Sequence, residues 1–140
     1  MKRTSINDQK GAVVVEFALV LPLLILLLVG IIEFGLILYN QQVLTNACRE
    51  GTRAGIVARS PRLDLTAISG VVNTYTQTHL VTFGNATSAA TTMNNSGGTS
   101  FGDNLTVTVT YDYDFLVLSN FISSLAGGLT LSAQTVMKYE

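Results

Sequence analysis

An apolar segment near the N-terminus, residues 11–39, constrains this chain more than any other feature. No residue between Phe17 and Ile32 has a polar side chain, and a single acid borders this run at either end, Glu16 and Glu33. A membrane-spanning helix needs about 20 mostly apolar residues, which this segment supplies. The sequence therefore predicts one helix that crosses a membrane.

Two residues at the start of this segment do not suit a simple anchor. Gly11 directly precedes the apolar run, and Glu16 lies where hydrocarbon is expected. An ionised carboxylate at membrane depth costs on the order of 2.5–3.5 kcal/mol on insertion scales, which makes Glu16 a functional candidate. The alternative is a glutamate at the interface that reaches into the lipid headgroups.

Composition limits what the rest of the chain can be. Of 140 residues, about a hundred remain after the apolar helix, enough for one small domain. The net charge of −1 offers no basic surface for nucleic acid. Basic residues lie on both sides of the apolar segment, so charge alone leaves its orientation open.

The helical period continues past the apolar segment as far as residue 59. Glycines recur there on a face of small and apolar residues: Leu44, Ala47, Cys48, Gly51, Gly55 and Ala58. A glycine inside a helix costs about 1 kcal/mol relative to alanine, and close packing of another element would compensate for it. We therefore assign an assembly or interface role to Gly51 and Gly55, and expect Ser60–Pro61 to end the helix.

Residues 60–140 are predicted to form a small α+β domain. Residues 63–80 favour a helix with Asp64 near its start, although their β-branched content leaves a strand open. Residues 84–104 are typical of a loop. Residues 105–115 alternate strictly between apolar and polar side chains, which indicates a half-buried strand, and residues 129–140 form a second strand.

The overall prediction is an α+β protein. Its long N-terminal membrane-spanning helix would extend outward and pack with a second helix and a small antiparallel sheet. One cysteine, one histidine and scattered acids do not supply the groups that an active site needs. We therefore predict no enzymatic activity, no cofactor and no small-molecule substrate.

Metal binding is not favoured by the ionisable residues of this domain. His79 has no ligand-type neighbour at metal spacing and is read as a helix-end residue. Asp112 and Asp114 project from one side of the predicted strand and could hold Ca²⁺ together with Asp103. Pairs of acidic residues on a solvated strand face are common, so we predict no metal site.

The order of Gly11, four apolar residues, Glu16 and Phe17 resembles the processing site of bacterial type IV prepilins, particularly the Flp/Tad branch. The resemblance implies that a prepilin peptidase at the cytoplasmic face cuts after Gly11. Residues 1–11 would then be a leader and Ala12 the new N-terminus. The freed amine could pair with the Glu16 carboxylate, on the same or a neighbouring subunit, which offsets the cost of either charge in lipid.

A longer stretch is similar to the TadE-like family of pseudopilins. The similarity includes Pro22, the Ile-Glu-Phe-Gly sequence at 32–35 and the Ala-x-Arg-Glu-Gly-x-Arg-Ala pattern at 47–54. Two residues depart from the family pattern: Leu36 stands where an arginine is frequent, and Cys48 where an alanine is expected. Pro22 should bend the helix, and Glu33 is expected to contact a partner or to reach water.

The resemblance implies a minor pseudopilin, a structural assembly or initiation subunit of a Tad pilus machine. Its partners would be the membrane, the prepilin peptidase, other pilins or pseudopilins and Tad secretion components. The chain would cross the bacterial inner membrane once, with a cytoplasmic N-terminus and residues 60–140 outside the cytoplasm. A major filament subunit and a membrane-anchored extracytoplasmic binding module remain as alternatives.

Overall fold

The computed structural model describes residues 6–82, 88–95, 97–115 and 128–140, with side chains described from residue 11 onward. Two compact units divide the chain, Met1–Gly35 and Leu36–Glu140. The described elements are helices α1 (Ile6–Ile56) and α2 (Leu65–His79) and strands β1 (Ala90–Asn94), β2 (Asn104–Tyr113) and β3 (Leu129–Lys138). The predicted α+β class is confirmed.

The first unit contains the N-terminal part of α1. This helix is the one element, among the residues described, that is long and apolar enough to cross a membrane by length and composition. None of its most apolar window is buried within the chain. The helix already begins at Ile6 and passes through Pro22 without interruption. An apolar surface of this size suits lipid or other helices better than water.

The second unit contains an antiparallel sheet with the strand order β1–β2–β3. Strand β2 pairs with β3 from Asn104 opposite Lys138 to Tyr113 opposite Leu129. The pairing of the two predicted strands is therefore confirmed.

Strand β1 corrects the prediction of a loop at residues 84–104. Residues 90–94 pair with β2, with Thr91 opposite Val109 and Met93 opposite Val107. The local sequence is small and polar and lacks a marked alternation, so it gives little strand signal. The long neighbouring strand β2 supplies the hydrogen-bonding edge that makes this segment a strand.

The core of the second unit lies between the helices and one face of β2. Alternate residues of β2 are buried, as the strict alternation predicted: Leu105, Val107, Val109, Tyr111 and Tyr113. Leu44 and Cys48 of α1 and Ile68 and Val72 of α2 belong to the same buried cluster, and each is fully buried. The small-residue face of α1 therefore turns toward this core from residue 44 onward.

Helix α2 begins and ends at polar residues that the sequence singled out. Asp64 is its N-cap, and its Oδ1 accepts a hydrogen bond from the amide of Ala67 at 2.9 Å. Such a cap satisfies one of the open amides of the first turn. His79 is the last residue of α2 and stacks on Tyr75 with ring centroids 4.3 Å apart. The helix-end interpretation of His79 is confirmed.

Helix α1 ends at Ile56, earlier than the predicted residue 59. Nη1 of Arg62 donates to the carbonyls of Ile56 at 2.9 Å and of Val57 at 3.3 Å. The amide of Glu140 also donates to the Ile56 carbonyl, at 3.2 Å. These donors take up carbonyls that the last turn of a helix leaves open. The end of α1 is thus capped both from Arg62, six residues further on, and from Glu140 at the other end of the second unit.

Candidate functional site

The residues of the predicted processing site lie together on one exposed stretch of α1. Gly11, Ala12 and Glu16 are exposed, and 61% of Phe17 is exposed. A Cβ built on Gly11 would meet no heavy atom within 4 Å. Because the helix places residues four apart on the same face, Ala12 and Glu16 lie one turn apart on a common side. None of these four residues is covered by other described parts of the chain.

Glu33 differs sharply from the residues around it. Only 3% of Glu33 is exposed, compared with 58% of Ile32 and 61% of Phe34. Contact with a partner and contact with water, the two roles expected for Glu33, would both place its carboxylate at the surface, whereas the structure buries it. Gly30 and Gly35, which flank it, have no heavy atom within 4 Å of a built Cβ. The helix surface at both glycines is open.

Gly51 and Gly55 lie where α1 packs most closely within the second unit. A Cβ on Gly51 would be 2.6 Å from Cγ2 of Val72, and a Cβ on Gly55 would be 2.6 Å from Cδ2 of Leu105. Real Cβ atoms do not approach other atoms so closely, so both positions require glycine, which has no side chain. The element that the sequence expected against this face is the chain's own α2 and β2. This is a correction to the assembly role assigned to the two glycines, which are buried and not open to a partner.

Asn40 is a buried polar residue that sequence reasoning missed. Its side chain is fully buried. The Nδ2 group donates to the carbonyl of Val81 at 2.9 Å, and Oδ1 accepts from the amide of Val81 at 3.1 Å. Both hydrogen bonds hold the segment after α2 against α1. The one sequence signal was an asparagine inside a helix, a position that asparagine does not favour.

Cys48 is a structural residue in this fold. It is fully buried, and its Sγ lies 3.2 Å from the carbonyl oxygen of Val107 and 3.6 Å from that of Ala133. A thiol is a weak donor that behaves mainly as a small apolar side chain. Cys48 thus fills space under the sheet.

Arg62 forms a second connection that the sequence did not reveal. Besides its bonds to the end of α1, its Nη2 donates to the carbonyl of Glu140 at 2.7 Å. Its guanidinium lies 4.6 Å from the centre of the Tyr139 ring. Several donors in a planar fork suit this arrangement better than a lysine would. Arg62 therefore joins the end of α1 to the residues after β3.

The acids considered for calcium do not converge. Oδ2 of Asp103 accepts from the amide of Ser100 at 2.9 Å, whereas Oδ1 of Asp112 accepts from Oγ1 of Thr130 at 2.7 Å. In the described part of the chain, no group of three or more His, Cys, Asp or Glu residues could hold a metal ion. Among the residues that the structure describes, Asp103 and Asp112 therefore each make a hydrogen bond within the chain.

The fold alters the ionisation of Tyr111. Burial raises the pKa of its phenol, and the nearby carboxylates of Asp114 and Asp112 raise it further. Burial and negative neighbours both disfavour the phenolate. The group thus remains a neutral part of the buried face of β2 at ordinary pH.

Comparison with known proteins relates one part of the chain to a family. No curated protein and no solved structure matches the sequence. The match to a family model begins at the candidate processing glycine and continues along α1. Residues 11–53 match the model of the family described as TadE-like protein, which confirms the resemblance noted in the sequence.

Proposed function

We propose that this chain is a minor pseudopilin, a structural assembly or initiation subunit of a Tad (Flp-type) pilus machine. The observation that carries the proposal is the family match over residues 11–53, which starts at Gly11 and includes Glu16 and Phe17. The exposed apolar part of α1 supports membrane association. A prepilin peptidase would cut after Gly11 and leave the apolar helix on the mature protein.

The role proposed for Glu16 follows from helix geometry. After cleavage, the amine of Ala12 would lie one turn from the Glu16 carboxylate, or beside that of a neighbouring copy. An unpaired amine or carboxylate inside lipid is costly, and pairing offsets most of that cost. A subunit would therefore insert most favourably where its carboxylate meets a freed amine. This pairing would set the register between neighbouring helices during assembly.

The proposed topology has one membrane crossing, in the bacterial inner membrane. The N-terminus would lie in the cytoplasm, where the peptidase acts, and residues 60–140 outside it. Other pilins or pseudopilins and Tad secretion components would contact the apolar part of α1. Pro22 belongs to this contact region in the proposal, whereas Glu33 is buried within the chain.

A minor rather than a major subunit is supported by the second unit. Major Flp pilins, by the resemblance, are much shorter and nearly all helix. Here residues 36–140 form a compact unit with a second helix and a sheet. A chain that carries such a domain suits a subunit present in few copies.

Processing is tested by sequencing the N-terminus of the chain expressed with and without a prepilin peptidase. The expected mature protein begins at Ala12 when the peptidase is present. Gly11→Leu should abolish the cut. Gly30→Leu is the matched control, because a Cβ at Gly30 also meets no heavy atom within 4 Å, and it should be processed normally. Recovery of Met1 at the N-terminus in the presence of active peptidase would disprove the proposal.

A further inference from the structure

Strand β3 forms one edge of the sheet. It pairs with β2 along ten residues, and in the described part of the chain no other strand lies beside it. Strand β1, at the other edge, has five residues. An open edge presents a row of backbone amides and carbonyls that can template pairing with another chain. A short edge strand offers few such groups, so β3 is the edge at which unwanted pairing is the greater hazard.

Alternate residues of β3 direct their backbone groups away from β2. In an antiparallel pair, both groups of every second residue face the neighbouring strand, and those of the residues between face outward. The amide of Tyr139 donates to the carbonyl of Asp103 at 2.9 Å, and its carbonyl accepts from the amide of Gly102 at 3.0 Å, so Tyr139 faces the β2 side. The register between the two strands is continuous from Asn104 onward. The outward-facing residues of β3 are therefore Thr130, Ser132, Gln134, Val136 and Lys138.

A side chain of α1 occupies one of these outward groups. Nε2 of Gln41 donates to the carbonyl of Ser132 at 2.8 Å, across 91 positions of sequence. A strand added at this edge would lie about 4.8 Å from β3 and would place a backbone N–H about 2.9 Å from the same oxygen. The Gln41 amide already makes that hydrogen bond, so an incoming strand would have to displace it.

The far end of the same edge is also covered. The amide of Glu140 donates to the carbonyl of Ile56 at 3.2 Å, and Nη2 of Arg62 donates to the carbonyl of Glu140 at 2.7 Å. Two residues earlier, the exposed Lys138 places a charge on the edge, which itself opposes pairing. The stretch between the two covered points includes Val136, which is 54% exposed. This apolar stretch could pair with another chain if the contacts beside it were lost.

We propose that Gln41 prevents copies of this chain from pairing through their β3 edges. Its amide occupies the hydrogen-bonding position that a strand of a second copy would use. A primary amide is suited to this role because it donates an N–H group as a strand backbone does. The excluded partner is a second copy, since every copy carries the same edge. Helix α1 thus protects the sheet in addition to filling its core, and this role does not depend on processing at Gly11.

Sedimentation velocity of the purified full-length chain in detergent tests this role. Gln41→Ala removes the donor, so the chain should self-associate at about fivefold lower concentration, the factor that one net hydrogen bond represents. Gln41→Met also removes the donor but keeps the length and helix propensity of the side chain, so it provides the test if Gln41→Ala does not fold. Gln42→Ala is the matched control, because Nε2 of Gln42 binds Oδ1 of Asn46 on the same helix. It should self-associate like the parent.

Lysines introduced at the two edges identify the surface through which the variant associates. Adding Val136→Lys to Gln41→Ala places a charge on the exposed stretch of β3 and should restore the parental behaviour. Thr92→Lys places the same charge on the exposed face of β1, at the other edge, and should not restore it. Thermal unfolding shows whether each variant is folded. Parental self-association in a folded Gln41→Ala or Gln41→Met protein, or equal rescue by Val136→Lys and Thr92→Lys, would overturn the proposal.

Discussion

Gly51 and Val72 are in direct contact between the two helices of the second unit. A Cβ on Gly51 would lie 2.6 Å from Cγ2 of Val72. The contact explains why a helix that needs stability tolerates a glycine at this position. Any side chain added at position 51 would have to displace Val72.

Gly51→Ala should therefore destabilise the second unit. Overpacking costs about 1–3 kcal/mol, and the better helix propensity of alanine, about 1 kcal/mol, opposes only part of it. Gly70→Ala is the control with the opposite sign, because a Cβ there meets nothing within 4 Å. Thermal unfolding of the full-length chain in detergent measures both. A Gly51→Ala protein more stable than the parent would refute the close approach.

Asn40→Ala should destabilise the attachment of the segment after α2 to α1. The substitution leaves the amide and the carbonyl of Val81 without their partner on α1. Each buried unsatisfied group costs about 1–3 kcal/mol. Asn46→Ala is the control, since Oδ1 of Asn46 accepts a hydrogen bond from the exposed side chain of Gln42. Hydrogen exchange of the Val81 amide should accelerate in the first variant and stay unchanged in the second.

Glu16→Ala should leave cleavage after Gly11 largely intact and reduce assembly with partners. The expected reason is the loss of the carboxylate that would meet the freed amine inside lipid. Glu16→Gln keeps the shape and removes the charge, so it should behave like Glu16→Ala. Co-purification of pilus subunits and counts of assembled pili measure the effect. Normal piliation in both variants would exclude the pairing role of Glu16.

Tyr111 should make stability fall at alkaline pH. Because burial and the two nearby aspartates raise the pKa of its phenol, the folded state favours the neutral form. Its contribution is complete below the unfolded pKa of about 10 and is lost as pH rises through the higher folded pKa. Tyr111→Phe should flatten this decline, while Tyr39→Phe, at an exposed position, serves as control. The decline in stability is measured as melting temperatures between about pH 9 and pH 11, a range set around the reference pKa of about 10. Identical slopes in parent and Tyr111→Phe would contradict the prediction.

Several features of the domain could be predicted because they depend on local pattern. The alternation of β2 is a property of consecutive side chains, and burial of one face follows from it. Asp64 at the start of α2 and the pairing of residues 105–113 with residues after 128 were likewise visible. In contrast, strand β1 depends on its pairing with β2, and the role of Asn40 depends on Val81, a partner far away in sequence.

The candidate site divides in the same way. Gly11, Glu16 and Phe17 were recognisable because they form a short linear motif. They lie on one exposed stretch of helix. Gly51 and Gly55 were recognised as close-packing positions, but the sequence could not say whose surface approaches them. Whether a small-residue face meets its own chain or a neighbour is decided by three-dimensional packing alone.

The sequence by itself determined the apolar helix, the half-buried strand and the match at residues 11–53, because these depend on side-chain type and spacing along the chain. Only the tertiary structure decided that α2 and β2 cover the two glycines. It also decided that Asn40 binds the backbone of Val81 and that the amide of Glu140 binds the carbonyl at the end of α1. The physical reason is that burial and hydrogen bonding join residues that are dozens of positions apart, and no local pattern records which of them will meet.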